Sequence, residues 1–247
     1  MTTQSQRLRE TISLVSGHLS SLIRQVWFHP RLSELYPEFL FAIYGITASS
    51  APAMRAAAER CLAITTGEPL AAWLHDYYLE HATEETGHEK WLLDDLAAMG
   101  VQRERVLQRL PYASVAALVG AQYYCMFHVH PIAYLGYIAV VEEPASIEFL
   151  EQVSRRSGIP LSTMSCHLMH AKLDPDHVAD FNAALDSLPL QQHHQDLITV
   201  SAITTSSLLV NVFSDILEHF ERIENPAGAE TIFTSSGVAI ASPSREF

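Results

Sequence analysis

The chain has 247 residues, is 48% hydrophobic and only 17% charged, and carries 15 Lys and Arg against 28 Asp and Glu for a net charge of −13. This composition suits one globular domain with a sizeable core. A nucleic-acid partner needs a basic patch, and an anionic membrane surface repels this balance, so both are excluded as partners. The cysteines Cys61, Cys125 and Cys166 are far apart, odd in number and outside any C-x-x-C pair. They read as reduced thiols of a cytoplasmic protein.

Ala and Leu recur at helical spacing along the chain, and no alternating Val/Ile/Thr run with hairpin turns interrupts them. The N-terminus has no apolar segment followed by a cleavage site. A first helix is expected over residues 6–27, ended by His29-Pro30. Helices follow over 32–46 and 53–64, then a turn at Thr65-Thr66-Gly67 with Pro69. A long helix is expected over 70–99, capped by Gly100. A short one covers 101–107 and stops at Leu110-Pro111. Residues 114–143 are helical with a kink or break at Pro131. This region holds the most apolar stretch, 132–141, which is too short to span a bilayer. Another helix spans 145–157 and stops at Gly158 and Pro160. A helix over 162–172 is expected to end before Pro175, which would open the next helix at its first position with Asp174 as N-cap. That helix runs to about residue 187, and a last long one covers 191–223.

Together these make an all-α, single-domain bundle of about seven to nine helices over residues 1–223. Residues 224–247 form a Gly/Ala/Ser/Thr/Pro-rich tail. It is read as a loose terminus, with a lid over the site as the alternative.

Two stretches share one spacing. His81, Glu85 and His88 form H-x3-E-x2-H; His170, Asp174 and His177 form H-x3-D-x2-H. Positions i, i+4 and i+7 share a helix face, so each triplet can present imidazole, carboxylate and imidazole to one point. That donor set suits a transition metal, iron above all. One such match is weak evidence, with a chance probability of roughly 0.1; two by chance fall to well under about 0.01. The competing reading of the first triplet is a solvated helix face. Gly87 inside it argues for close approach of a ligand or backbone, since glycine costs about 1 kcal/mol in a helix interior. The competing reading of the second is that Asp174 is only a cap. A third helix should supply a carboxylate, and Glu142 or Glu143, after the apolar run, is either that ligand or a helix end meeting water.

The segments EETGHEKWLLDDL (84–96), PIAYLGYIAVVEE (131–143) and HLMHAKLDPDH (167–177) resemble the haem-oxygenase-like diiron oxidase and oxygenase superfamily, over about residues 20–220. That resemblance implies a haem-oxygenase-like helical fold holding two non-haem iron ions. Carried over, the metal ligands are Glu85, His88, Glu142, His170, Asp174 and His177. An early carboxylate three residues before its His, as Glu85 stands, is the pattern of fatty-acid-decarboxylating members. In para-aminobenzoate-forming members it stands seven before, where this chain has His81. His81, Glu84 and Glu143 are therefore candidates for ligation or for a supporting role behind the ligands. Members often show Glu-Gly where this chain has Glu142-Glu143-Pro144, which leaves Glu142 and Glu143 as alternatives.

The implied chemistry is dioxygen activation through a peroxo-diiron(III) intermediate, with dioxygen as co-substrate. The implied outcome is N-oxygenation, oxidative C–C cleavage or desaturation of a small organic molecule. An amino acid or amino-acid-derived amine is favoured, with a fatty acid as the alternative. An electron donor and a homodimer are further expectations. Tyr124, His128, Leu135 and Ile138 lie at helical spacing before Glu142 and are candidates for the substrate pocket, or ordinary core. Two rivals remain: a thiaminase-like hydrolase on the same fold with Cys125 as nucleophile, and a non-catalytic iron- or ligand-binding protein.

Overall fold

The structure is a computed structural model that describes residues 2–64, 69–142 and 146–224, without the side chains of residues 69, 173–176, 223 and 224. The turn expected at 65–67, Glu143 and the 225–247 tail with its lid lie outside the described residues. So does the side chain of Asp174.

Among the described residues there are eleven α-helices, more than the seven to nine expected. They are α1 (Gln4–Val15), α2 (Gly17–Trp27), α3 (Leu32–Ile64), α4 (Pro69–Glu84), α5 (His88–Ala98), α6 (Arg103–Gln108), α7 (Ala113–His128), α8 (Tyr134–Val141), α9 (Ile147–Ser157), α10 (Ser165–Ser187) and α11 (Gln192–Glu224). Short 3-10 turns at Pro131–Ala133 and Leu161–Thr163 complete the set.

The helix boundaries differ from expectation in both directions: some expected helices fuse and others divide. α3 runs unbroken through Pro37 and Pro52. Each proline removes one backbone donor, a cost of about 3 kcal/mol. Against that, α3 buries Leu35, Tyr36, Phe39 and Leu40 around the first proline, and Ala53, Met54, Ala57, Ala58 and Cys61 after the second. The small residues of this second face let α4 pack closely alongside, and burial outweighs propensity. Conversely, the single helix expected over 6–27 divides at Ser16, whose hydroxyl donates to the Ile12 carbonyl.

The helix expected over 70–99 divides at Gly87, which adopts φ 104° as the N-cap of α5. A side chain there would meet nothing closer than the Lys90 Nζ at 3.7 Å. The glycine therefore serves the left-handed turn and not a close approach. Arg55 donates to the Thr86 hydroxyl at 2.7 Å and pins this turn to α3.

α10 corrects the opposite expectation. It continues through Pro175, so Asp174 lies inside a helix and is not an N-cap. His170 and His177 consequently share one helix.

α11 is, among the described residues, the one helix with a stretch long and apolar enough to cross a membrane. It packs along α8, α2, α7 and α1, which accounts for its apolar length. The closest approach is at Gly136 of α8, whose added Cβ would lie 2.1 Å from the Ile198 carbonyl oxygen.

Where α3 meets the 109–112 segment, Arg109 donates to both carboxylate oxygens of Glu38, and the Tyr112 hydroxyl donates to Glu38 Oε2. The guanidinium also lies 4.0 Å over the Phe41 ring. Burial opposes charge on Glu38, but Arg109, Tyr112 and His219 outweigh it and hold the carboxyl below its usual 4.5. A depressed carboxylate stabilises the fold fully above its unfolded value and loses that contribution as pH falls through the folded one. Glu38→Gln is therefore expected to cost about 1–2 kcal/mol at neutral pH. It should also flatten the loss of stability below about pH 4.5. Urea titrations at neutral and acid pH measure both.

Candidate metal centre

Glu85 follows the last turn of α4, and His88 opens α5. The Gly87 turn between them replaces the straight face expected for the first triplet. His170 comes from α10. One ligand atom from each of Glu85, His88 and His170 lies within 4.8 Å of the other two, the one such group among the described residues. His88 Nδ1 is buried and has no hydrogen-bond partner, although Glu85 Oε1 stands 3.2 Å away. Two polar atoms side by side, without hydrogen-bond geometry, have lone pairs free for a third centre.

His170 is oriented by its own helix. Its Nδ1 lies 2.9 Å from the Cys166 carbonyl oxygen. A carbonyl only accepts, so Nδ1 carries the proton and Nε2 is the free donor atom. The His88 and His170 rings meet edge to face at 5.0 Å, and Trp91 stacks on His88 at 4.2 Å. Burial opposes charge on Glu85, but the imidazoles of His88, His170 and His81 outweigh it and hold the carboxyl below its usual range.

A second group of donors adjoins the first. His81 is buried, stacks on Tyr77, contacts Glu84 at 3.1 Å through Nδ1, and makes a very short contact to Glu142 through Nε2. Burial disfavours its charge, yet Glu142, Glu85 and Glu84 prevail and push the imidazole up to about 9. His177 lies 5.7 Å from His81 ring to ring and 4.0 Å from Glu84 Oε2. Glu142, the C-cap of α8, turns inward with only 14% of its side chain exposed. The structure thus gathers Glu85, His88, Glu142, His170 and His177 of the expected ligands at one place, with His81 and Glu84 among them.

Asp95, which sequence reasoning missed, ties the two ligand-bearing helices together. It is 1% exposed on α5, and its oxygens accept from the backbone N–H groups of Ser165 and Cys166 at 3.0 Å. The residue before α10, Met164, has no side chain able to cap it. Asp95 supplies that cap from the helix that carries His88. Asp95→Ala leaves two backbone donors unpaired, the Cys166 one buried, and is expected to cost about 2–3 kcal/mol. Urea denaturation reads the loss, and metal analysis should show weakened iron retention. Asp95→Asn, which keeps one acceptor, should lose less of both.

A cavity of about 300 Å³ opens beside Glu85, Glu142 and His170. Its walls come mainly from α1, α2, α3 and α11, including Leu19, Ile23, Trp27, Phe39, Ile43, Met54, Leu209 and Phe213, with Tyr137, Val140 and His167 near the donors. The expected pocket residues are elsewhere. Tyr124 is 62% exposed and His128 also faces outward; Leu135 and Ile138 are fully buried core. The 3-10 turn at Pro131 resets the helical phase, so spacing counted across it points to the wrong faces.

Other proteins of known structure share this architecture. A domain of unknown function with a heme oxygenase-like fold from Shewanella denitrificans superposes with a TM-score of 0.74 at 20% identity, covering 87% of this chain and 92% of its own. A TenA homolog from Pseudomonas syringae pv. tomato gives 0.65 at 13% identity, covering 86% and 92%. A TenA homologue from P. horikoshii gives 0.58 at 13%, covering 87% and 98%. These likenesses establish a haem-oxygenase-like fold. No curated protein matches the sequence. The sequence does match the iron-containing redox enzymes over residues 40–208, a span that includes every described residue of the donor cluster. The chain belongs to that iron-containing redox enzyme family.

Proposed function

We propose that the cluster holds two iron ions and that the protein is a non-haem, dioxygen-using oxidase or oxygenase of a small organic molecule. The observation that carries this reading is the buried, unpartnered His88 Nδ1, facing Glu85 and His170 in a family of iron-containing enzymes. Glu85, His88 and His170 would hold one ion; Glu142 and His177, with Asp174, would serve the other. When bound, such ions supply the electrons and the open coordination positions for reaction with dioxygen. The chain's own residues do the rest. Cys166 fixes the reactive nitrogen of His170, His81 holds a proton between Glu84 and Glu142, and the apolar walls exclude water from the reacting carbon.

The lining also bears on the substrate. No Lys or Arg is among the described residues around the cavity, and most of its walls are aliphatic or aromatic. A free amino acid adds an ammonium, and the only carboxylates on the described lining, Glu85 and Glu142, are already assigned to the metal. An organic acid with an apolar body is the better fit, its carboxylate turned to the metal end. That favours the fatty-acid alternative over the amino-acid expectation. The Cys125 hydrolase has less support. Cys125 does not line the cavity, and burial raises its thiol, which lowers the thiolate fraction a nucleophile needs.

Anaerobic loading with Fe(II), followed by air and a panel of apolar acids and amines, tests the proposal. A transient visible absorption band whose decay one class of compound hastens supports an oxygenase. Oxidation that responds to no organic compound supports simple iron binding instead.

A further inference from the structure

One polar group in the cavity is not used by the donor cluster. His167 lies on α10 one turn before His170. Trp27 meets its ring edge-on at 5.1 Å and Phe39 stacks on it at 5.5 Å. Its Nδ1 is 3.3 Å from the Tyr36 hydroxyl. Its Nε2 has no hydrogen-bond partner among the described residues, and the ring lines the cavity.

The direction of the Tyr36 bond follows from burial. Tyr36 is 0% exposed, and its hydroxyl has no other partner among the described residues. A buried O–H left without an acceptor costs more than a hydrogen bond gains. The phenol therefore donates to Nδ1. An uncharged imidazole that accepts at Nδ1 carries its proton at Nε2. Burial, with His170 beside it, pushes this imidazole down to about 3, so the ring is uncharged at neutral pH. The outcome is a neutral N–H donor in an apolar chamber, about 5 Å along the helix axis from His170.

We propose that His167 is a specificity-determining residue, whose Nε2–H donates to an uncharged acceptor oxygen (hydroxyl, ether or carbonyl) on a substrate with an apolar body. The donor stands one helical turn from the metal end, so the oxygen it selects lies close to the reacting carbon. An additional charged group there would find no partner. The proposal rests on the reading of this cavity as the substrate site, but it does not require iron to be bound.

The test uses the metal-free full chain and two probes of similar shape, acetophenone and ethylbenzene, titrated calorimetrically. His167→Phe keeps an aromatic ring and removes the donor. It is expected to weaken acetophenone about five- to tenfold, the value of one neutral hydrogen bond, while ethylbenzene changes less than about twofold. Nitrogen-15 NMR of the wild-type imidazole should show the proton on Nε2. Tyr36→Phe should release that tautomer and weaken acetophenone in the same direction, which guards against a poorly folded His167 variant. The proposal is overturned if neither probe binds, if the acetophenone affinity survives in His167→Phe, or if Nδ1 carries the proton. Iron content, measured separately, distinguishes the two readings. Iron binding without the acetophenone effect removes only the role of His167. The effect without iron binding removes only the metal assignment.

Discussion

Gly136→Ala is expected to be the most destabilising glycine-to-alanine substitution among the described residues. Its Cβ would stand 2.1 Å from the Ile198 carbonyl oxygen, 2.8 Å from the Ala202 nitrogen and 2.8 Å from the Ser201 Cβ. Two of these atoms are backbone in the middle of α11, so no rotamer change relieves the contact. α8 and α11 must separate instead. Overpacking of flexible side chains costs about 1–3 kcal/mol. A collision with helix backbone should reach at least the top of that range. For a domain of this size that means a fall in melting temperature of roughly 10 °C. The matched control is Gly120→Ala on α7, where an added Cβ meets nothing within 4 Å. There the substitution should stabilise by about 1 kcal/mol, because alanine is the better helix former. Gly136 also lies one residue before Tyr137 and six before Glu142, so displacing α8 should disturb the cavity and the donor cluster together. Thermal melts of the two variants, side by side, decide the matter.

His170→Ala should have the opposite profile, a small effect on folding and a large one on metal. The ring is half-buried at the edge of the cavity and its loss leaves space beside an existing void. Yet it is one of three groups whose donor atoms converge, and its Nε2 is held free by the Cys166 carbonyl. Outer groups that only orient a ligand change affinity by about 10–100-fold, and removing a ligand should exceed that. On the proposed two-iron centre, protein expressed with added iron should fall from about two ions per chain to well below one. His128→Ala, on the exposed side of α7, should leave the iron content unchanged.

Much of this was legible in the sequence because it depends on local spacing. The helical class followed from Ala and Leu periodicity, and the two spaced triplets contain Glu85, His88, His170 and His177, which the fold brings near one another. What was not legible depends on tertiary packing. Pro52 and Pro175 signal helix ends by their own chemistry, but flanking burial carries α3 through the first, and α10 continues through the second. Gly87 looked like a gap for a neighbour and proved to be a left-handed turn. The pocket was misplaced because its walls come mainly from α1, α2, α3 and α11, far along the chain from the motifs. Asp95 and His167 stood inside the two quoted segments. Their roles depend on Ser165, Cys166 and Tyr36, which only the fold brings near.

The dinuclear assignment is tested most directly by X-ray diffraction at the iron absorption edge, from crystals grown with Fe(II) in the absence of air. The account predicts two anomalous peaks about 3.5–4 Å apart, one among Glu85, His88 and His170 and the other beside Glu142 and His177. No peak among these side chains, or a single one elsewhere in the bundle, would contradict it.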